Sequence, residues 1–189
     1  MRHTDAEGGD GVFRGITDMD LTPHGVEHAK MFAKKLRNLH IDRIYASRLQ
    51  RAIHTAEPIA KMHNLKINKS VKINEINFGV FDGMQVDDVK KKYKDLYEAR
   101  GRDMHNFRLP GGGESYEDVC KRALPFILHE AGKYPGQTLL FVTHGSLIRS
   151  ILLKVMKTTH EHLRSQISYG CRVFLKHNKS KLSFQRIEP

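Results

Sequence analysis

The run TLLFVTHGSLIRSILLKVM, residues 138–156, constrains the fold of this chain more than any other. Its first part is short and unbroken in apolar character, as expected of a strand buried on both faces. Gly145 then lets the backbone turn, and SLIRSILLKVM continues as a helix. The same alternation recurs along the chain. In LTPHGVEHAKMFAKKLRNL, Thr22 suits an N-cap and Pro23 the first helical position. Val26, Ala29, Phe32, Ala33, Leu36 and Leu39 then make one stripe at helical spacing. IDRIYAS predicts a strand, with Ser47 capping a helix that runs to about Ala60, and residues 66–73 predict a more polar strand. A helix is expected over 85–99. SYED at 115–118 is a capping-box pattern ahead of VCKRALPFILHEAG, in which Pro125 marks a kink or a boundary. Strands at about 168–175 and 181–187 end the chain. This pattern implies an α/β fold, a three-layer α/β/α sandwich around a mainly parallel sheet. Ligand sites in such sheets lie at the C-terminal ends of the strands.

Composition narrows the function. The length of 189 residues suits a single domain, 1–189, with a sizeable core. No apolar run approaches membrane-spanning length, and no secretory signal opens the chain, so the expected location is the cytoplasm, away from membranes. Cys120 and Cys171 lie far apart without metal-ligand spacing and are expected to be free thiols. The net charge of +11 attracts anions. The lysine groups at 34–37 and 90–94 fall on helical segments, and no aromatic-basic interleaving accompanies them. A small phosphorylated partner is therefore expected rather than nucleic acid.

Chemistry-bearing residues appear at strand ends. His144 follows the apolar strand, where the next helix N-terminus offers N–H groups and positive dipole to an anion. Arg51 lies early in the helix after IDRIYAS, and a guanidinium fork suits phosphate oxygens. Glu75 follows the polar strand, ahead of glycines 79 and 83, where it can act as general acid beside a bound phosphate. Each signal is weak alone. Their order is specific: Arg2-His3, Leu-x-Arg-Ala, Asn-Glu-x-x-Phe-Gly, Gly-Glu-Ser, Thr-His-Gly, with RGITDMDLTPHG in between.

That order resembles the histidine phosphatase superfamily, also called phosphoglycerate-mutase-like, over nearly the whole chain. The resemblance implies a metal-independent and cofactor-free phosphomonoesterase acting on a small phosphorylated metabolite. His3 would attack phosphorus and become phosphorylated. Arg2, Arg51 and His144, with Gly145 after it, would hold the phosphoryl oxygens, and Glu75 would protonate the leaving oxygen and then activate water. Arg14 would grip a second anionic group, and Glu114 would orient the arginines by pairing with them. The expected metal set is none, with His160 and His162 on the surface. The positive field of the clamp should keep His3 neutral. The RHT opening and the YGC near the last strands are loosely similar to α-ribazole phosphatases. A phosphoglycerate mutase and a non-catalytic binder of phosphorylated ligands are the alternatives. The short interval from Glu75 to Glu114 favours hydrolysis over the mutase. A homodimer is left open.

Three departures stand out. Thr4 occupies the usual glycine position after Arg-His. Gly8 and Gly9 replace an expected phosphate-contacting asparagine. Finally, only Met1 stands where relatives carry an apolar first strand. The expectation is a chain that starts too late, with a gap in the core and the nucleophile on a loose terminus.

Overall fold

Strand β1 (Arg43–Ser47) forms the middle of a parallel sheet, because its side chains from Ile44 to Ser47 are all buried. It pairs on one edge with β2 (Ile67–Ser70), setting Ile44 opposite Ile67, and on the other with β3 (Leu139–Val142), setting Ala46 opposite Val142. The structure, a computed structural model, describes residues 1–9 and 11–189. Helices α1 (Pro23–Leu36) and α2 (Gln50–His63) cover one face, where Phe32, Leu36, Ala52, Ala56 and Ile59 pack on Ile44 and Ala46. Helices α3 (Val86–Lys92), α4 (Lys94–Arg102), α5 (Tyr116–Lys133) and α6 (Gly145–Val155) contribute to the other side. There Val119, Ala123, Ile127, Leu147 and Ile151 bury Tyr45 and Ile73. A short α7 (His160–Gln166) leads into an antiparallel hairpin of β4 (Arg172–Asn178) and β5 (Lys181–Glu188). The three layers are those expected of the α/β alternation.

The loose terminus is overturned. The Met1 ammonium donates to the Phe141 carbonyl at 2.8 Å, and the Thr143 N–H donates to the Met1 carbonyl at 2.9 Å. The His3 N–H donates to Thr143 O at 2.8 Å, the Arg2 N–H to Cys171 O at 3.0 Å, and the Gly170 N–H to His3 O at 3.2 Å. Residues 1–3 are therefore stitched between the C-terminal end of β3 and the chain entering β4, as one parallel bridge at Arg2 and Thr143. Burial pushes the Met1 amine down to about 6. Beyond Met1, the facing edges of β3 and β4 enclose an apolar groove of about 440 Å³ lined by Leu36, Ile127, Leu140, Ile151 and Val173 among others.

Local expectations fare unevenly. Thr22 caps α1 by accepting from the Gly25 N–H, and Pro23 sits in its first turn. Ser115 and Asp118 form the capping box of α5, which runs on through Pro125. Val26 leaves the predicted stripe at 38% exposure, since α1 buries only the narrower face around Phe32 and Leu36, and Leu39, 36% exposed, lies beyond the end of α1. The helix expected over 85–99 breaks at Tyr93, whose backbone at φ −131° leaves the helical region while its ring packs near Phe81. The polar strand stops at Ser70 and ends in a 3-10 turn at Val71–Ile73. Leu49, not Ser47, stands at the N-cap of α2, because the Ser47 hydroxyl is engaged elsewhere.

Candidate active site

The bridge just described holds His3 at the C-terminal end of the sheet, 4% exposed. Its Nδ1 lies 2.7 Å from the Thr4 carbonyl, which can only accept, so Nδ1 carries the proton and Nε2 keeps its lone pair. Thr4 is itself fixed. Its N–H donates to Thr55 Oγ1 at 3.1 Å and its hydroxyl to the Gly25 carbonyl at 2.8 Å. Thr4 thus ties the loop after His3 to α1 and α2. Gly25 is required at this contact, since a Cβ there would stand 2.0 Å from the Asp5 carbonyl oxygen.

Three arginines and a second histidine surround His3. Arg2 donates from Nη1 to Ile167 O at 2.8 Å, and its Cζ stacks 3.9 Å over the Tyr169 ring. Arg51 is fully buried and donates to Thr17 O at 3.0 Å and Gly15 O at 2.6 Å, so part of its fork holds the 14–17 loop. Arg14 donates to Glu7 O at 2.7 Å and to the Tyr169 hydroxyl. The His144 ring lies 5.1 Å from that of His3, and its Nε2 is 2.7 Å from Ser47 Oγ. After these contacts, Arg2 Nε, Arg14 Nη2, Arg51 Nε and His144 Nδ1 are buried without a protein partner. Buried polar atoms are normally paired, so the three open guanidinium nitrogens of Arg2, Arg14 and Arg51 beside His3 are suited to receive an anion.

Glu75 occupies the position anticipated for a bound anion. Its Oε2 accepts from the Ser146 N–H at 3.0 Å, and its Oε1 from the Leu147 N–H at 3.1 Å and the Ile76 N–H at 2.9 Å. The α6 N-terminus therefore serves mainly to hold this carboxylate, which corrects the expectation that its N–H groups were free for phosphate. Gly145 instead provides space: a Cβ there would meet Arg149 Nη1 at 3.2 Å and Arg2 Nε at 3.3 Å. Glu114 does not pair with Arg2, Arg14 or Arg51. It pairs with Arg122 at 2.6 Å and accepts from the Asn77 N–H, while Arg122 donates to the Glu75 carbonyl at 2.9 Å. It supports the loop that carries Glu75.

Burial is the first cause of the electrostatics. It holds the His3 imidazole well below its ordinary value of 6.5, and Arg51 and Arg2 push further the same way. His144 behaves alike, through burial and then Arg51. The expected neutrality of His3 thus has desolvation as its main cause, with the arginine field second. His160 is half-buried, its Nε2 2.9 Å from the Tyr116 hydroxyl, while His162 is exposed as expected. Among the described residues, no group of three His, Cys, Asp or Glu side chains could hold a metal ion, and no helix is long and apolar enough to cross a membrane.

Residue patterns alone missed Tyr169, Ser47 and Thr55. The YGC motif pointed at Tyr169 without indicating that its ring would carry Arg2 and its hydroxyl Arg14. Nothing in a run of residues signals that Ser47, placed as a helix cap, would meet a histidine 97 positions away.

A buried neutral histidine, open guanidinium groups and a held carboxylate at the edge of a parallel sheet are a set suited to phosphoryl transfer. The family model of the histidine phosphatase superfamily (branch 1) matches residues 1–188, and the chain belongs to that family. It is 31% identical over 172 residues to phosphoserine phosphatase 1 of Hydrogenobacter thermophilus, covering 90% of this chain and 80% of that protein. It is also 31% identical over 156 residues to a 2,3-bisphosphoglycerate-dependent phosphoglycerate mutase of Cytophaga hutchinsonii, covering 80% and 73%. Among solved structures, the α-ribazole phosphatase from Shigella flexneri superimposes with a TM-score of 0.83 at 24% identity, covering 98% of this chain and 92% of that one.

Proposed function

We propose that the protein hydrolyses a small phosphomonoester, without a metal ion, through a phosphohistidine at His3. The observation that carries this reading is the set of three buried, unpartnered guanidinium nitrogens, on Arg2, Arg14 and Arg51, beside a His3 whose Nε2 is free. In the first step Nε2 attacks phosphorus and the bond from phosphorus to the leaving oxygen breaks. Glu75 gives its proton to that oxygen. Oε1 already accepts two N–H groups and Oε2 only one, so Oε2 is the oxygen that carries and delivers the proton. In the second step the Glu75 carboxylate takes a proton from water, whose oxygen attacks phosphorus. Phosphate leaves and Nε2 regains its lone pair. The arginines supply the positive charge that stabilises the phosphoryl oxygens through both transfers. The Ser47 hydroxyl donates to Asn74 Oδ1, so His144 donates its Nε2–H to Ser47 Oγ and is held beside the phosphoryl site with its lone pair on Nδ1.

Phosphate release from a panel of phosphomonoesters in the presence of EDTA, for the parent chain and His3→Ala, tests the reading. Turnover that survives EDTA and disappears with His3→Ala is expected; turnover that persists in His3→Ala overturns it. The mutase relative motivates a second reading, transfer between hydroxyls of one phosphoglycerate. Isomerisation dependent on a bisphosphate primer, faster than phosphate release, would favour it.

A further inference from the structure

Beside the phosphoryl pocket, Arg149 and Arg100 have no carboxylate within ion-pair distance among the described residues, and neither does Arg2. Arg149 is held by two contacts. Its Nε donates to the Tyr116 hydroxyl at 3.4 Å and its Nη2 to Ser146 Oγ at 3.0 Å. The Tyr116 hydroxyl, which accepts from Arg149, donates onward to His160 Nε2 at 2.9 Å. This chain fixes the guanidinium so that Nη1 comes to the side-chain-free flank of Gly145, 3.2 Å from where a Cβ would stand. Arg2 Nε, buried and unpartnered, reaches the same spot from the other side, at 3.3 Å. Arg100 stands nearby with its Cζ 5.0 Å from the Phe78 ring centroid, and makes no hydrogen bond within the chain among the described residues. Arg149 therefore meets Arg2 at a space that glycine keeps open, Arg100 stands by the Phe78 ring close to it, and among the described residues neither Arg149 nor Arg100 has an ion-pair partner.

We infer that Arg149 and Arg100 form a second anion subsite that binds an anionic group on the alcohol portion of the substrate. This rests on the phosphomonoesterase reading and narrows it to doubly anionic substrates. The side is set by Ser146: its N–H holds Glu75 Oε2 and its hydroxyl holds Arg149, so the subsite adjoins the acid that serves the leaving oxygen. The electrostatic neighbours agree, since Arg100 is influenced by both Arg149 and Glu75. Guanidinium forks suit a carboxylate or a phosphate equally. A substrate with a neutral alcohol portion would leave these cations unneutralised next to Arg2.

The test compares matched pairs. 3-Phosphoglycerate and glycerol 3-phosphate share a primary phosphoester and differ by a carboxylate in place of a hydroxymethyl group. Propane-1,3-diol bisphosphate and the monophosphate differ by a second phosphate. The parent chain is expected to favour the doubly anionic member of one pair by about tenfold in kcat/KM, the value of a charged hydrogen bond. The pair that shows the preference identifies the group as carboxylate or phosphate. Arg100→Met and Arg149→Met are expected to bring that ratio towards one. Equal losses on both members, or no preference in the parent, overturn the subsite and assign the arginines to balancing Glu75. Calorimetric titration of the same four compounds into His3→Ala separates the two claims. Retained discrimination in binding, with no turnover of any substrate by the parent, would sink the phosphatase reading and keep the subsite.

Discussion

Acidification should destabilise this protein through its own active site. His3 and His144 are buried and neutral in the fold, with proton affinities held well below the ordinary 6.5 by desolvation and by the arginines. Unfolding returns both to water, where they titrate normally. Above pH 6.5 neither state binds these protons, and the stability they permit is fully present. As pH falls below that value, the unfolded chain takes up protons that the folded chain refuses, so stability falls. Each such histidine contributes a slope of about 1.4 kcal/mol per pH unit, and the two together about 2.7, until the folded sites themselves titrate. Against a typical net stability of about 5–15 kcal/mol, this is a large loss within two pH units. Urea unfolding at half-unit steps from pH 7.5 to about 4.5 measures the slope. His3→Asn and His144→Gln are suitable controls, since their amide nitrogens replace Nδ1–H toward Thr4 O and Nε2 toward Ser47. Each substitution should remove about 1.4 kcal/mol per unit from the slope, whatever it does to stability at pH 7.5. A double variant with the parent's slope would refute the argument, because the protons would then be entering elsewhere.

Other consequences follow from single contacts. Glu75→Gln should lower kcat by about a hundredfold to ten-thousandfold, the usual range for losing a general acid, with p-nitrophenyl phosphate suffering least because its leaving oxygen needs no proton. Comparing steady-state rates on that ester and on an alkyl phosphate checks this, and equal losses would contradict the assignment. Ser47→Ala removes a hydroxyl bonded to His144, Asn74 and the Leu49 N–H. It should cost about 1–3 kcal/mol of stability and weaken inhibition by inorganic phosphate, as thermal unfolding and inhibition constants would report. The groove between β3 and β4 should accept an engineered strand. An apolar hexapeptide fused ahead of Met1 should raise stability by about 0.5–2 kcal/mol, as cavity filling commonly does, and an unchanged Tm would show that the groove closes without it.

The layer architecture was legible because it depends on local pattern. TLLFVTHG reads as a strand, and β3 formed there, although Leu139, Leu140 and Phe141 are only half-buried beside the groove and not enclosed on both faces as expected. Thr22-Pro23 and Ser115-x-x-Asp118 mark helix starts through their own backbone chemistry, and both caps formed. The ordered motifs also placed His3, Arg2, Arg51, Glu75 and His144 at strand ends, where the parallel sheet brings them together. What the sequence did not reveal were the partners. Glu114 meets Arg122, Ser47 meets His144, and Arg149 meets Tyr116, across separations that no periodicity encodes. The terminus shows the difference most clearly. Met1-Arg2-His3 alone has too few residues to define a strand, and local reasoning leaves it loose. Its order comes from backbone groups of Phe141, Thr143, Gly170 and Cys171, which only the assembled sheet presents side by side. Residue types and their periodicity determined which elements form and which groups can carry the chemistry. The tertiary structure decided which of those groups meet, because burial and hydrogen-bond pairing are settled between segments distant along the chain.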